Sequence, residues 1–121
     1  MTRFAGYAAV FDAIDHGGDV VRRGAFAGAG PVPLLWQHRG SPVGSIETLA
    51  EDTLGLRVIG RVEHAALGAL VAAGAVRGLS FGYRVVAARH GARRELTALE
   101  LVEVSLVAQP MQPLAVVHAV A

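Results

Sequence analysis

Most of the chain is built from short segments in which apolar and polar residues alternate, and this pattern limits the fold more than any other feature. An alternation of period two places successive side chains on opposite faces of a β-strand. Segments 42–52 and 54–63 alternate on either side of the turn residues "EDT", which predicts a β-hairpin. Segments 78–89 and 92–110 are likewise predicted strands, joined across "HG" at 90–91. The chain therefore favours a fold dominated by antiparallel strands.

Only one segment has the character of a helix, "AALGALVAAGAV" at 65–76, and we expect it to end at Gly74. Further strands are predicted at 3–13, 31–38 and 114–120, whereas the aspartates and glycines of 12–26 predict a loop. Six or seven strands with one main helix define an α+β, mostly-β fold, an antiparallel barrel or folded sheet. A length of 121 residues suits a single domain over 1–121.

Composition excludes several classes of function. Charged residues make up 17% of the chain and the formal net charge is +1, so we expect neither nucleic-acid binding nor an anionic membrane surface. The absence of cysteine rules out disulfides, thiolate metal sites and a cysteine nucleophile. No apolar run suits a membrane span and the N-terminus does not read as a signal peptide, so we expect a soluble, intracellular protein.

The strand at 78–89 carries the first candidate residue, Ser80 in "GLSFGY". Period-two geometry places Ser80 beside Gly82 and Arg84 on one face, opposite the predicted core face of Leu79, Phe81, Tyr83 and Val85. A glycine inside a strand often marks the close approach of a ligand or another backbone. From this segment alone, Ser80 is either a residue that a substrate reaches or a solvent-facing serine on a barrel wall.

Two further residues have side chains suited to acid–base chemistry. His38 ends the predicted strand "LLWQH", and imidazole can act as a general base near neutral pH, although a surface or capping histidine is the simpler interpretation. Glu103 lies in the apolar strand "LELVEVSLV" and needs a partner or solvent. It could orient an imidazole, or it could be a charge that protects an edge strand from aggregation.

The acidic loop at 12–26 could indicate a metal site, but turn formation is the better interpretation. Asp12, Asp15 and Asp19 lie near His16, but their spacing fits no EF-hand loop, and aspartates among glycines usually form turns. We therefore expect neither a metal nor a cofactor.

Five motifs, taken in order, resemble one known family: "GYAAVFDAIDHGGDVVRRGAF", "LLWQH" with "PVG", "LGLRVIGRV", "GAVRGLSFGYRV" and "LELVEVSLVAQP". They are similar to the prohead (capsid maturation) proteases of tailed phages, which belong with the herpesvirus assemblin-like serine proteases. The resemblance covers roughly residues 4 to 117. It implies a barrel of the herpesvirus-protease type. The richness in Ala, Arg, Gly and Val suggests a high-GC host, with a phage, a prophage or a gene transfer agent as the source.

The resemblance implies a serine endopeptidase that cleaves the scaffolding segment of the major capsid protein, and then itself, inside the immature capsid in the host cytoplasm. It carries the role of nucleophile to Ser80 and that of general base to His38. A Ser-His-Glu set with Glu103 is our own inference, because the herpesvirus enzymes have a second histidine there. Arg84 is open as an oxyanion-stabilising group or a contact for an acidic substrate side chain. The resemblance also implies a homodimer.

We expect this protein to depart from the family in having no long C-terminal tail, which would put self-cleavage in doubt more than catalysis. Two other functions stay open. The first is a catalytically silent barrel that serves as a capsid assembly or scaffolding factor. The second is a small β-barrel ligand-binding module unrelated to phages.

Overall fold

The computed structural model describes residues 1–121 and contains eight β-strands and one α-helix, α1 (Ala65–Ala72). The strands are β1 (Thr2–Val10), β2 (Asp19–Val21), β3 (Pro33–Trp36), β4 (Arg39–Glu51), β5 (Gly55–Val62), β6 (Gly78–His90), β7 (Arg94–Val107) and β8 (Val117–Val120). They form one sheet in the order β2-β7-β3-β4-β5-β1-β8. β2 and β3 pair with different parts of one edge of β7, and β6 pairs along the opposite edge of β7. The fold is therefore mostly β with one helix, as predicted.

The sheet curls until its two ends meet. An isolated bridge joins Gly78, at the start of β6, to Val116 just before β8. Backbone N–H groups of Leu79 and Val117 donate to the carbonyls of Ala115 and Arg77 at 2.9 and 2.8 Å. Closure of this kind removes exposed sheet edges. The predicted barrel is confirmed in outline.

Six or seven strands were predicted and eight are present, and two strand pairs of the mostly antiparallel sheet are parallel. β2 and β3 both pair with β7 in parallel, β2 along 94–96 and β3 along 104–106. β2 lies inside the segment predicted as a loop, where turn residues surround the buried pair Val20 and Val21. These contacts join residues far apart in sequence, so local composition does not report them.

Both predicted hairpins are present, because β4 pairs with β5 and β6 pairs with β7 in antiparallel register. Helix α1 begins after His64, whose imidazole Nδ1 accepts a hydrogen bond from the Leu67 N–H at 3.2 Å. It ends before Gly74, which has φ of 77° and takes the left-handed conformation that stops many helices. No helix in the chain has the length and apolarity needed to span a membrane.

The core lies inside the curled sheet and is lined by alternate residues of the strands. Its largest fully buried hydrophobic side chains are Phe4, Leu34, Leu56, Leu79, Leu96, Leu106, Val21, Val58, Val62, Val71 and Val104. Val85 was predicted to belong to it but is exposed. Residues 84–87 of β6 are all exposed, so this part of the strand extends past the core and its alternation no longer distinguishes a buried face.

The hydrogen-bonded carboxylate of Asp52, outside the core, makes the stability of the fold depend on pH. The Tyr7 hydroxyl donates to Asp52 Oδ2 at 2.5 Å, and the backbone N–H groups of Leu54 and Gly55 donate to Oδ1 at 2.8 and 3.1 Å. These bonds, that of Tyr7 first, hold the pKa of the Asp52 carboxyl below its ordinary value. Because the folded-state pKa is the lower one, the carboxylate stabilises the fold fully above the unfolded-state pKa of about 3.9.

We therefore expect the free energy of unfolding to fall as the pH drops from about 4 through the lower folded-state pKa of Asp52. Asp52→Asn removes this titration, so its stability should fall less steeply with acid than that of the wild type. Urea denaturation of both proteins at several pH values between neutral and strongly acidic measures the difference. Parallel pH profiles for the two proteins would contradict it.

Candidate active site

The turn between β3 and β4 consists of Gln37 and His38, both with positive φ, at 55° and 63°. Trp36 pairs directly with Arg39, so these two residues form a two-residue hairpin loop. Positive φ at both positions is the signature of a type I′ turn, which normally uses Asn and Gly. We expected His38 at a strand end, with all three candidate residues on strands. His38 instead occupies a turn whose backbone is unfavourable for most residues.

Four contacts hold this turn against β7. The Gln37 N–H donates to the Leu106 carbonyl at 3.0 Å, and Gln37 Oε1 accepts from the Ala108 N–H at 2.7 Å. The His38 N–H donates to Ser105 Oγ at 3.0 Å, and the His38 imidazole contacts Glu103. Residues in sparsely populated backbone regions persist where the surroundings determine them strongly, and such residues cluster at functional sites.

The imidazole of His38 pairs with the carboxylate of Glu103 through Nδ1 and Oε1. Glu103 is only 6% exposed, and its second oxygen, Oε2, accepts a hydrogen bond from Ser105 Oγ at 2.6 Å. A carboxylate can only accept, so Nδ1 carries the proton in this pair. The Nε2 atom is left uncommitted on a side chain that is 42% exposed.

Ser80 lies on β6 directly opposite Ser105, and Gly82 lies directly opposite Glu103. Side chains of directly opposed residues in an antiparallel pair emerge on the same face. The structure therefore brings Ser80 to the face that carries Glu103, and His38 contacts that face through Ser105 and Glu103. Ser80 is 8% exposed, which rules out the open, solvent-facing serine.

The Ser80 hydroxyl is uncommitted. It has no hydrogen-bond partner within the chain. It is also not fully enclosed, so it is not a buried polar atom left without a partner. Ser80 also contributes to the wall of a cavity of about 100 Å³, whose lining includes Tyr83, Asp15 and Asp19. Burial, followed by the charges of Asp19 and Asp15, raises the pKa of the Tyr83 hydroxyl.

Gly82 makes room for the Glu103 carboxylate. A Cβ atom at position 82 would lie 2.5 Å from Glu103 Oε1 and 3.0 Å from its Cδ and Cγ atoms. The register shifts at this point, since Gly82 pairs with Glu103 but Tyr83 pairs with Leu101, which leaves Val102 as the extra residue of a β-bulge. Bulges are frequent beside active sites, where they re-aim a side chain.

Two residues of this cluster, Ser105 and Gln37, were not among the residues predicted from the sequence. The period-two pattern of "LELVEVSLV" puts Ser105 on the same face as Glu103, and this shared face is the signal that could have identified it. Gln37 carried no local signal, because its role depends on the parallel packing of β3 on β7.

Other candidates are engaged elsewhere. The Arg84 guanidinium is largely exposed and pairs with Glu100 at 3.3 Å, so it does not act beside Ser80 in this structure. Asp15 Oδ1 accepts from the N–H groups of Gly17 and Asp19 at 2.8 and 2.9 Å, and Asp19 pairs with Arg94. Asp12 pairs with Arg22. No group of three histidine or acidic side chains is placed to hold a metal ion.

Known proteins are similar to this chain in sequence or in fold. A family model described as the caudovirus prohead serine protease matches residues 1–121. The prohead protease of Enterobacteria phage HK97 is 38% identical over an alignment 94 residues long that covers 68% of this chain and 42% of that protein. A crystal structure of KSHV protease in complex with a hexapeptide phosphonate inhibitor aligns with a TM-score of 0.69 at 14% identity.

The KSHV alignment covers 99% of this chain and 64% of the other, and it confirms a barrel of the herpesvirus-protease type. The chain thus spans less than half the length of the HK97 protein and about two thirds of the KSHV protein.

Proposed function

The chain belongs to the caudovirus prohead serine protease family, and on this premise we propose that it is a serine endopeptidase with Ser80 as nucleophile and His38 as general base. The observation that carries the proposal is the buried pairing of Glu103 with His38 Nδ1, on the face where the uncommitted hydroxyl of Ser80 emerges. A nucleophile beside a base that is itself oriented by a third group is the general pattern of such catalysis.

Each group has one task in the reaction. His38 Nε2 takes the proton from Ser80 Oγ as that oxygen attacks the scissile carbonyl carbon, and the carbon–nitrogen bond then breaks as His38 returns the proton to the departing amine. A water molecule, deprotonated by the same imidazole, hydrolyses the resulting Ser80 ester. Glu103 holds the imidazole in the tautomer that presents Nε2 and stabilises the positive charge that develops on it.

The family description supports a role in the prohead. We propose that the substrate is the scaffolding segment of the major capsid protein and that cleavage occurs inside the immature capsid in the host cytoplasm. Cleavage of the protease itself and activity as a homodimer complete the proposal. These finer points rest on the resemblance, and the experiment below addresses the substrate first.

The test is co-expression of the chain with the major capsid protein encoded beside it, followed by mass measurement of the capsid protein. We expect wild type to shorten the capsid protein at one site and Ser80→Ala to leave it intact, because the variant lacks the attacking oxygen. Ser45→Ala, at an exposed serine on β4, is the matched control and should cleave like wild type.

Two outcomes would contradict the proposal. Cleavage by Ser80→Ala would remove Ser80 from the mechanism. An intact capsid protein with both proteins, in shells that still assemble, would favour the catalytically silent assembly factor. The mass of the protease, measured in the same sample, reports self-cleavage.

A further inference from the structure

We propose that Ser105 is a positioning residue that holds both Glu103 and His38 in place through its single hydroxyl group. Its effect on catalysis rests on the proposed function, whereas its effect on the geometry of His38 does not. Ser105 lies on β7 between Val104 and Leu106 and is 0% exposed. A hydroxyl buried among apolar neighbours is costly unless it is hydrogen-bonded, so its bonds indicate why a polar residue occupies this place.

The Ser105 hydroxyl both donates and accepts a hydrogen bond. As a donor it reaches Glu103 Oε2 at 2.6 Å, and as an acceptor it receives the backbone N–H of His38 at 3.0 Å. A serine hydroxyl has one donor hydrogen and two acceptor lone pairs, so its only donor is spent on the carboxylate. Ser105 is therefore not a second nucleophile, even though it lies directly opposite Ser80 on the same face.

These two bonds constrain different parts of the site. The bond to Oε2 fixes the carboxylate of Glu103 from the side opposite to the imidazole, so Oε1 is held toward His38. The bond from the His38 N–H fixes the backbone at a residue with φ of 63°. A strained backbone conformation persists at a residue only when its surroundings determine it strongly. Ser105 thus sets the position of the imidazole in two ways, through the carboxylate of Glu103 and through the backbone of His38.

A double-mutant cycle separates positioning from a merely structural role. We expect Ser105→Ala to lower kcat about 10- to 100-fold with little change in KM, because the imidazole is misplaced while substrate binding is kept. In a Glu103→Gln background, Ser105→Ala should cause a much smaller further loss, since the two residues act through the same imidazole. Equal losses of kcat in both backgrounds, or a change in KM alone, would overturn the proposal. Ser45→Ala again serves as the control.

A second measurement does not depend on protease activity, and its first part uses the wild-type protein alone. Hydrogen exchange of backbone amides by NMR should show the His38 N–H protected in wild type, whereas Thr53, in the exposed β4–β5 turn and without a hydrogen bond from its N–H, should exchange rapidly. Ser105→Ala should speed exchange at His38 while leaving protection unchanged at Leu79 on the neighbouring β6, whose N–H donates to the Ala115 carbonyl.

A wild-type His38 amide that exchanges as fast as that of Thr53 would overturn the proposal even if Ser105→Ala failed to fold. If wild type cleaves no peptide but His38 shows the expected protection and its loss in Ser105→Ala, the positioning role stands and the protease function fails. Failure of the two proposals is therefore distinguishable.

Discussion

Replacing His38 is expected to lower kcat for peptide cleavage by about 10⁵- to 10⁶-fold, as is replacing Ser80, and the double variant should be no worse than either single one. The reason is that the hydroxyl is a weak nucleophile until a base takes its proton, so removing either group removes the same step. Purified variants assayed on a peptide that spans the mapped cleavage site measure the effect.

The choice of replacement matters at position 38. Alanine at φ of 63° adds backbone strain, whereas asparagine tolerates the left-handed conformation. His38→Asn therefore keeps the turn while removing the base, and it should be as inactive as His38→Ala. His90→Ala, at the exposed end of β6, controls for the loss of a histidine and should keep wild-type activity. Losses of kcat that multiplied in the double variant would show that Ser80 and His38 do not act as a unit.

Gly82→Ala is expected to lower kcat by about 100-fold without unfolding the protein, although alanine is one of the smallest possible changes. The new Cβ would lie 2.5 Å from Glu103 Oε1, the oxygen that contacts His38 Nδ1. Because Ser105 holds the other carboxylate oxygen at 2.6 Å, the carboxylate cannot yield without losing one of its partners. The imidazole then loses its orienting group.

Gly91→Ala is the matched control. Nothing lies within 4 Å of a Cβ atom at position 91, in the turn that joins the same two strands, so this variant should keep wild-type activity.

We expect Glu103→Gln to retain partial activity, because attack can proceed with a poorly oriented imidazole. Gly82→Ala should add little further loss in that background. Full activity of Gly82→Ala, measured together with circular dichroism and a thermal melt, would show that the close approach of Gly82 and Glu103 is not needed for catalysis.

Much of the fold could be predicted because it depends on local patterns. The β4–β5 and β6–β7 hairpins and helix α1 follow from alternation, turn residues and a glycine after the helix. Val85 shows where this reasoning fails, since alternation places it on the core face but residues 84–87 of β6 extend past the core and are exposed. β2 shows a second limit, because three residues among turn-formers become a strand only through parallel pairing with β7.

The candidate site divides in the same way. Ser80, His38 and Glu103 could be singled out from residue type and motif, and Ser105 could at least be placed on the face of Glu103. Their catalytic roles stay predictions. The contact of His38 with Glu103 could not be predicted, because it joins a turn at residue 38 to a strand at residue 103.

The hairpins, the helix, the family and the residue types available for chemistry all follow from the amino-acid sequence. Three features emerge only when distant segments pack together: β3 runs parallel to β7, Gln37 and His38 form a left-handed turn against it, and the absent Cβ at Gly82 makes room for a carboxylate. Local propensity cannot specify them because it acts over a few neighbouring residues. Backbone strain and a buried carboxylate are instead compensated by hydrogen bonds from residues distant in the chain.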